Sequence, residues 1–124
     1  MSETSSEAIA FDKLFASIDA MDTERFLGFL SPDVEFRFGS APAVSGHEGV
    51  RAAVDGFFAS IAGLRHELHR VVANGTTAIV EGDSTYERHG GSEITLPFCN
   101  VFEIDNGRIA VYRIYIDIAP LYSE

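Results

Sequence analysis

Tryptophan is absent from this 124-residue chain, and cysteine and lysine occur once each. The lone Cys99 excludes an intramolecular disulfide, which suits a cytoplasmic protein. It lies in an apolar run from Leu96 to Phe102, the setting of a packing residue rather than a nucleophile. Basic residues are scarce: nine Lys and Arg, of which only Lys13 is lysine, oppose nineteen Asp and Glu for a net charge of -10. That balance argues against nucleic-acid or anionic-membrane partners, since both demand a basic patch. No apolar run approaches the roughly 18 residues of a membrane-spanning helix. The polar, acidic start from Met1 to Glu7 predicts no secretory or transit signal. There is no Gly-rich phosphate loop, dinucleotide fingerprint or nucleophile elbow. His47, His66, His69 and His89 show no helical ligand spacing and suggest no facial triad, so neither metal nor cofactor is expected.

What the sequence has is apolar and aromatic: 46% hydrophobic residues, with ten Phe and four Tyr. Without repeat or linker, residues 1–124 read as one domain. Thr4 and Glu7 have capping-box spacing ahead of a helix carrying Phe11, Leu14, Phe15, Ile18 and Met21. Asp22 reads as the cap of a short second helix with Phe26, Leu27, Phe29 and Leu30, broken at Ser31-Pro32-Asp33. Val34, Phe36 and Phe38 alternate as a strand ending at Gly39–Pro42. Ser45 and Glu48 suggest another capping box, before a helix with Val50, Val54, Phe57, Phe58 and Ile61. From Leu64 the period becomes two: strands over 64–73, 76–88, 93–104 and 108–118, turning at Asn74-Gly75, Gly90-Gly91 and Asp105-Asn106-Gly107. The class is α+β, a curved antiparallel sheet wrapped into a cone by three N-terminal helices.

Several positions on those strands could carry chemistry. Asn100 stands alone in the row Ile94, Leu96, Phe98, Phe102; it needs a neighbouring side chain, a water, or a ligand carbonyl or oxyanion to which its NH₂ donates. Alternation puts Glu81 and Asp83 with Thr77, Ile79, Thr85 and Glu87, on the side opposite Ala78, Val80, Gly82, Ser84 and Tyr86, and therefore toward solvent. His66 alternates with Leu64 and Leu68, His69 with Arg65 and Glu67, so at most one looks inward. His47 and His89 read as surface residues. In the last strand Tyr112, Ile114 and Ile116 face the pocket, while Arg113, Tyr115 and Asp117 face away; Asp117 is given a structural role.

The element order and three phrases resemble the nuclear transport factor 2-like superfamily, especially SnoaL-like polyketide cyclases, limonene-epoxide hydrolases and ketosteroid isomerases. The phrases are Ser31-Pro32-Asp33-Val34-Glu35-Phe36, Ser45-Gly46-His47-Glu48-Gly49-Val50, and Val101-Phe102-Glu103-Ile104-Asp105-Asn106-Gly107-Arg108-Ile109; the tail from Tyr115 to Leu121 also fits. The resemblance implies an apolar ligand inside the cone and a homodimer through the outer face of the sheet. Neither catalytic set carries over whole. The isomerase base has no inward counterpart in Val34–Phe38, its oxyanion tyrosine falls at Phe15, and its protonated aspartate at Asn100. The hydrolase Tyr and Asn become Phe36 and Phe38, its Arg-x-Asp becomes Glu81-Gly82-Asp83, and its final aspartate becomes Ile114.

The resemblance turns Glu81 and Asp83 inward, with the small-residue face Ala78–Ser84 packing on a second subunit. Two carboxylates sharing a low-dielectric cone would form an acid/base pair. The expected catalytic set is Asp83 as base, Glu81 as its partner or the acid, and Asn100 as donor to the developing oxyanion. The expected wall is Phe15, Phe36, Phe38, Phe57, Phe98, Phe102, Tyr112, Ile114, Ile116 and His66. Two functions fit: a cofactor-free isomerase, cyclase or hydrolase acting on a small hydrophobic molecule, or a non-catalytic binding module. A purely structural dimerisation domain, with a collapsed cavity, is a third.

Overall fold

A computed structural model describes residues 9–123; the Thr4–Glu7 capping box lies outside the described residues. The elements are α1 (Phe11–Asp19), α2 (Thr23–Leu27), β1 (Leu30–Phe38), β2 (Val44–Ser45), α3 (Gly46–Ala59), β3 (Gly63–Asn74), β4 (Thr77–Glu87), β5 (Glu93–Asp105) and β6 (Arg108–Tyr115). A 3₁₀ turn follows at Ala119–Tyr122. The class is the expected one, α+β, with three helices and a curled, unclosed six-stranded sheet.

The helices follow their apolar stripes. Phe11, Leu14 and Phe15 are buried on α1, and Val50, Val54 and Phe58 on α3. Asp22 caps α2, its carboxylate accepting from the Arg25 N–H at 3.1 Å. That helix stops at Leu27, earlier than its apolar residues suggest, and Leu30 opens β1 instead. Pro32 falls where the β1 register is interrupted, between Leu30 and Glu35, so its missing N–H breaks no regular pairing. Ser45 holds the N-cap position of α3, but its side chain makes no capping bond. The last strand ends at Tyr115, three residues short of the expected boundary.

Strand order is β2-β1-β6-β5-β4-β3. Strands β3 to β6 form the expected antiparallel meander, and β1 joins beside β6 in parallel. Asn74 pairs with Thr77, leaving Gly75, at φ +63°, first in a two-residue turn. Asn106 and Gly107 both take positive φ, as a twist-matched hairpin requires. The curl has a local cause at His69, an extra residue of β3: Leu68 faces Gly82 and Arg70 faces Glu81. Such a bulge bends its strand and increases twist. A Cβ on Gly82 would collide with the Glu67 carbonyl oxygen, so the bend requires glycine there.

The concave face packs against the helices. Phe102, fully buried, contacts Phe11 and Tyr112 at ring-centroid distances of 5.1 and 4.6 Å, and closes one end. At the other end Ile61, Tyr86, Leu96 and Leu121 form a smaller cluster. There the Arg88 guanidinium donates to the Leu121 and Pro120 carbonyls, both at 2.9 Å, and fastens the C-terminal turn. Among the described residues no helix is long and apolar enough to cross a membrane.

Candidate functional site

Between those two clusters the concave face leaves a cavity of about 60 Å³. That is several times the roughly 10–15 Å³ one water needs. Its wall is aromatic and aliphatic: Phe15, Ile18, Phe26, Phe36, Phe38, Ala53, Val54, Phe57, Phe58, Leu64, Phe98, Ile114 and Ile116. Its polar members are His66, Ser84, Tyr86, Asn100 and Tyr112. Nine of the ten expected wall residues are present. Phe102 is not, because its ring is consumed by packing against Phe11 and Tyr112.

His66 is the chemically best-equipped member. Its Nδ1 lies 2.6 Å from Asp19 Oδ1, and its backbone N–H donates to Asp19 Oδ2 at 3.1 Å. Asp19 thus grips one residue with both oxygens. Because a carboxylate only accepts, Nδ1 carries the proton of the neutral ring and Nε2 keeps its lone pair. The ring packs beside Phe15 and Phe98, at centroid distances of 5.0 and 5.3 Å, the three rings forming a triangle, with its side chain 9% exposed. Asp19, at the end of α1, keeps 30% of its side chain in solvent.

Deeper in, Asn100 is 3% exposed and its Oδ1 has no hydrogen-bond partner. Its cross-strand neighbours are Val80 and Ile114. Tyr112 is the diagonal neighbour, since Phe102 pairs with Tyr112 and Asn100 with Ile114. Burial pushes the Tyr112 phenol well above the ordinary tyrosine pKa, so it remains a protonated donor. Tyr86 is likewise raised by burial, partly offset by its 3.0 Å contact with the Ser84 hydroxyl.

A family model for the SnoaL-like domain matches residues 11–112. The chain belongs to the SnoaL-like domain family. Solved structures agree on the fold. A nuclear transport factor 2-like protein of unknown function from Burkholderia pseudomallei is 22% identical, with a TM-score of 0.84 over 98% of this chain and 95% of that one. An LEH-like epoxide hydrolase from M. tuberculosis is 21% identical, with a TM-score of 0.78 over 95% and 88%. A protein from Jannaschia sp. CCS1 assigned as a SnoaL-like polyketide cyclase is 19% identical, with a TM-score of 0.84 over 98% and 93%. No curated protein matches the chain.

In this SnoaL-like chain Glu81 and Asp83 do not enter the cavity. Ala78, Val80, Gly82, Ser84 and Tyr86 face inward and are buried, so the small-residue face lines the cone rather than an outer surface. The strand alternation therefore holds, and the inward expectation drawn from resemblance is corrected. The physical reason is desolvation: two carboxylates within an aromatic wall would lose hydration without compensating partners. On the outer face Glu81 lies 3.8 Å from Arg70, and Asp83 3.5 Å from His69.

Glu67 and Asp83 stand opposite each other across β3 and β4, an unfavourable like-charge pair. The bulged His69 reaches both, at 3.7 and 3.5 Å. These three residues bring ligand-type atoms within 4.8 Å of one another, a cluster not anticipated from the histidine spacing. They lie on the outside, away from the cavity, and His69 between two carboxylates accounts for the arrangement.

His47 and His89 place Nε2 against the Leu30 and Ala59 carbonyls, at 3.0 and 2.9 Å. The Asp117 carboxylate accepts from the Ala119 N–H at 3.2 Å, holding the turn into the 3₁₀ segment. Asp19, which holds His66 beside the cavity, is not among the residues singled out from the sequence. The signal was available: it follows Phe15 by four residues, so it shares the helix face that lines the cavity.

Proposed function

We propose that this protein is a cofactor-independent acid–base enzyme acting on a small, largely apolar molecule in the aromatic cavity. His66 transfers the proton and Asp19 positions it. The observation that carries this reading is the 2.6 Å Nδ1–Oδ1 contact, made by a histidine on the cavity wall. Asp19 fixes the tautomer, leaving Nε2 to accept a proton from the substrate and later return it. As the imidazole gains positive charge, the adjacent carboxylate stabilises it. Phe15 and Phe98 exclude water from the ring, which strengthens that interaction. Epoxide hydrolase and polyketide cyclase neighbours on the same fold support catalysis in such a cone.

The working form we propose is a homodimer paired through the outer face of the sheet, where Val72, Ile79 and Tyr115 are exposed. A cytoplasmic location fits the single free Cys99.

The test is deuterium exchange into the carbon-bound protons of hydroxyacetone, followed by NMR. The wild type should exceed the buffer rate. His66→Gln and Asp19→Asn should each reduce the excess by roughly 10²–10⁴-fold, while ligand-induced shifts of cavity resonances persist. Exchange undiminished in both variants would overturn the assignment. Binding of the probe without any excess exchange would favour the non-catalytic module.

A further inference from the structure

The outer face of the sheet carries a second cluster, independent of the cavity. Among the described residues, Glu67, His69 and Asp83 are the one set of three that brings ligand-type atoms within 4.8 Å of one another. Strand pairing sets two of them, since Glu67 faces Asp83 across β3 and β4. The bulge supplies the third. His69 is the extra residue between Leu68, opposite Gly82, and Arg70, opposite Glu81. A bulge of this kind re-aims a side chain, and here Nε2 stands 3.7 Å from Glu67 and 3.5 Å from Asp83.

Those two distances bear on what the cluster is suited to hold. An N–H···O hydrogen bond spans about 2.7–3.2 Å, and both contacts are longer. Ligand atoms placed tetrahedrally about one Zn²⁺, at bonds of roughly 2.0–2.2 Å, lie about 3.4 Å apart. Both contacts are close to that edge. Charge points the same way. His69 offsets the carboxylate pair only when it carries an extra proton; with its single proton on Nδ1 it turns a lone pair toward two anions. The two arginines of β3 contact other carboxylates: Arg65 lies 3.2 Å from Glu93, and Arg70 3.8 Å from Glu81. A divalent cation between the three side chains satisfies them together.

The donor set selects among cations. One imidazole with two carboxylates suits a borderline transition ion. Ca²⁺ seeks about six to eight oxygens, and Mg²⁺ gives up its waters reluctantly. Three protein ligands leave a fourth position for water. A depression of about 340 Å³ adjoins His69 and Asp83, with Glu81, Pro97, Cys99 and Tyr115 along its other sides, and gives that water room.

We propose that Glu67, His69 and Asp83 bind one Zn²⁺ per chain on the outer face, tying the edge strand β3 to β4 at the bulge that curls the sheet. The site shares no residue with the His66–Asp19 pair, so it stands or falls separately from the catalytic reading.

The experiment is calorimetric titration of tag-free, chelator-treated protein with zinc chloride. The wild type should take up one ion per chain, saturating well below millimolar Zn²⁺, and excess Mg²⁺ should not displace it. His69→Gln and Asp83→Asn should each weaken binding by at least the roughly 10–100-fold that loss of a residue supporting a metal ligand costs. Cys99→Ser, which alters the same depression but not the ligand set, should bind as the wild type does. Because the substituted side chains are on the surface, the metal-free variants should keep the wild-type thermal midpoint closely enough to show that they fold. Zn²⁺ should then raise the midpoint of the wild type but not of Asp83→Asn, since an ion bound only by the folded chain stabilises it. Co²⁺ in place of Zn²⁺ should give the strong visible absorption of a tetrahedral site, and His69→Gln should abolish it. Four results would overturn the proposal: no saturable uptake below millimolar Zn²⁺, affinity undiminished in both His69→Gln and Asp83→Asn, loss of binding in Cys99→Ser, or loss confined to His66→Gln, which would put the ion at the cavity.

Discussion

Replacing Asn100 by leucine should stabilise the empty protein, the opposite sign to most substitutions at a 3% exposed site. The wild type leaves Oδ1 buried and unpaired, a penalty of roughly 1–3 kcal/mol. Leucine is close in size, removes that penalty and matches the apolar neighbours Val80, Ile114, Phe98 and Phe102. The adjoining cavity of about 60 Å³ accommodates the altered branching. A net gain of about 1–2 kcal/mol should raise the thermal midpoint by about 4–8 °C, at about 4 °C per kcal/mol for a domain of this size. Calorimetry and urea unfolding would both register it. Ser84→Ala supplies the control: Ser84 is equally buried but partnered with Tyr86, and its loss should cost about 1–2 kcal/mol. If Asn100→Leu unfolds earlier than the wild type, the amide is already satisfied in the folded protein and carries no such penalty.

Three further outcomes follow from the same geometry. Gly82→Ala should cost about 1–3 kcal/mol of stability and lower the urea midpoint, because its methyl meets the Glu67 carbonyl; an unchanged midpoint would mean that the bulge at His69 shifts freely. Tyr86 and Tyr112 have phenols raised by burial, so the unfolded chain loses those protons first. Their contribution is intact below about pH 10 and declines above it, for Tyr112 by up to about 1.4 kcal/mol per pH unit; Tyr112→Phe should flatten the slope of unfolding free energy against pH by that share. If two copies pair through the outer face as proposed, Ile79→Glu on that exposed face should halve the mass seen by light scattering; an unaltered mass would overturn that pairing.

The fold was largely legible because its signals are local and mutually consistent. The period-two runs, Asp22 at a helix start and Asn106-Gly107 in a hairpin each act within a few residues. The boundary errors come from tertiary pairing. Leu30 satisfies a helical stripe but is taken by β6, with which it pairs opposite Ile109. The site was legible where one strand carried the signal, as at Asn100 in its apolar row and His66 between leucines. It was illegible where two distant elements had to meet. The spacing from Phe15 places Asp19 on the cavity face of α1, but nothing in the sequence pairs it with His66, 47 positions away. At Glu81 and Asp83 the local alternation was the better guide, and resemblance to proteins with other residues there was the worse one.

That exchange of carboxylates has an energetic logic. An acid–base site in an aromatic cone needs a group that gains and loses a proton, together with something that stabilises its charged form. A carboxylate at the inward positions of β4 would be taken out of water beside Val80 and Phe98, at a cost of several kcal/mol per ion. Asp19 avoids most of that cost by standing at the rim, where 30% of its side chain stays hydrated. Two N–H groups of one residue satisfy its oxygens. An imidazole has an uncharged form, and a neutral polar group is far cheaper to bury than an ion. The net charge of -10 therefore contributes through one rim carboxylate, while Glu81 and Asp83 remain on the outer face. On this reasoning Asp83→Asn leaves hydroxyacetone exchange within about twofold of wild type, since surface charges of this kind couple weakly. A 10²-fold loss in Asp83→Asn would return the catalytic role to β4 and refute the assignment of His66 and Asp19.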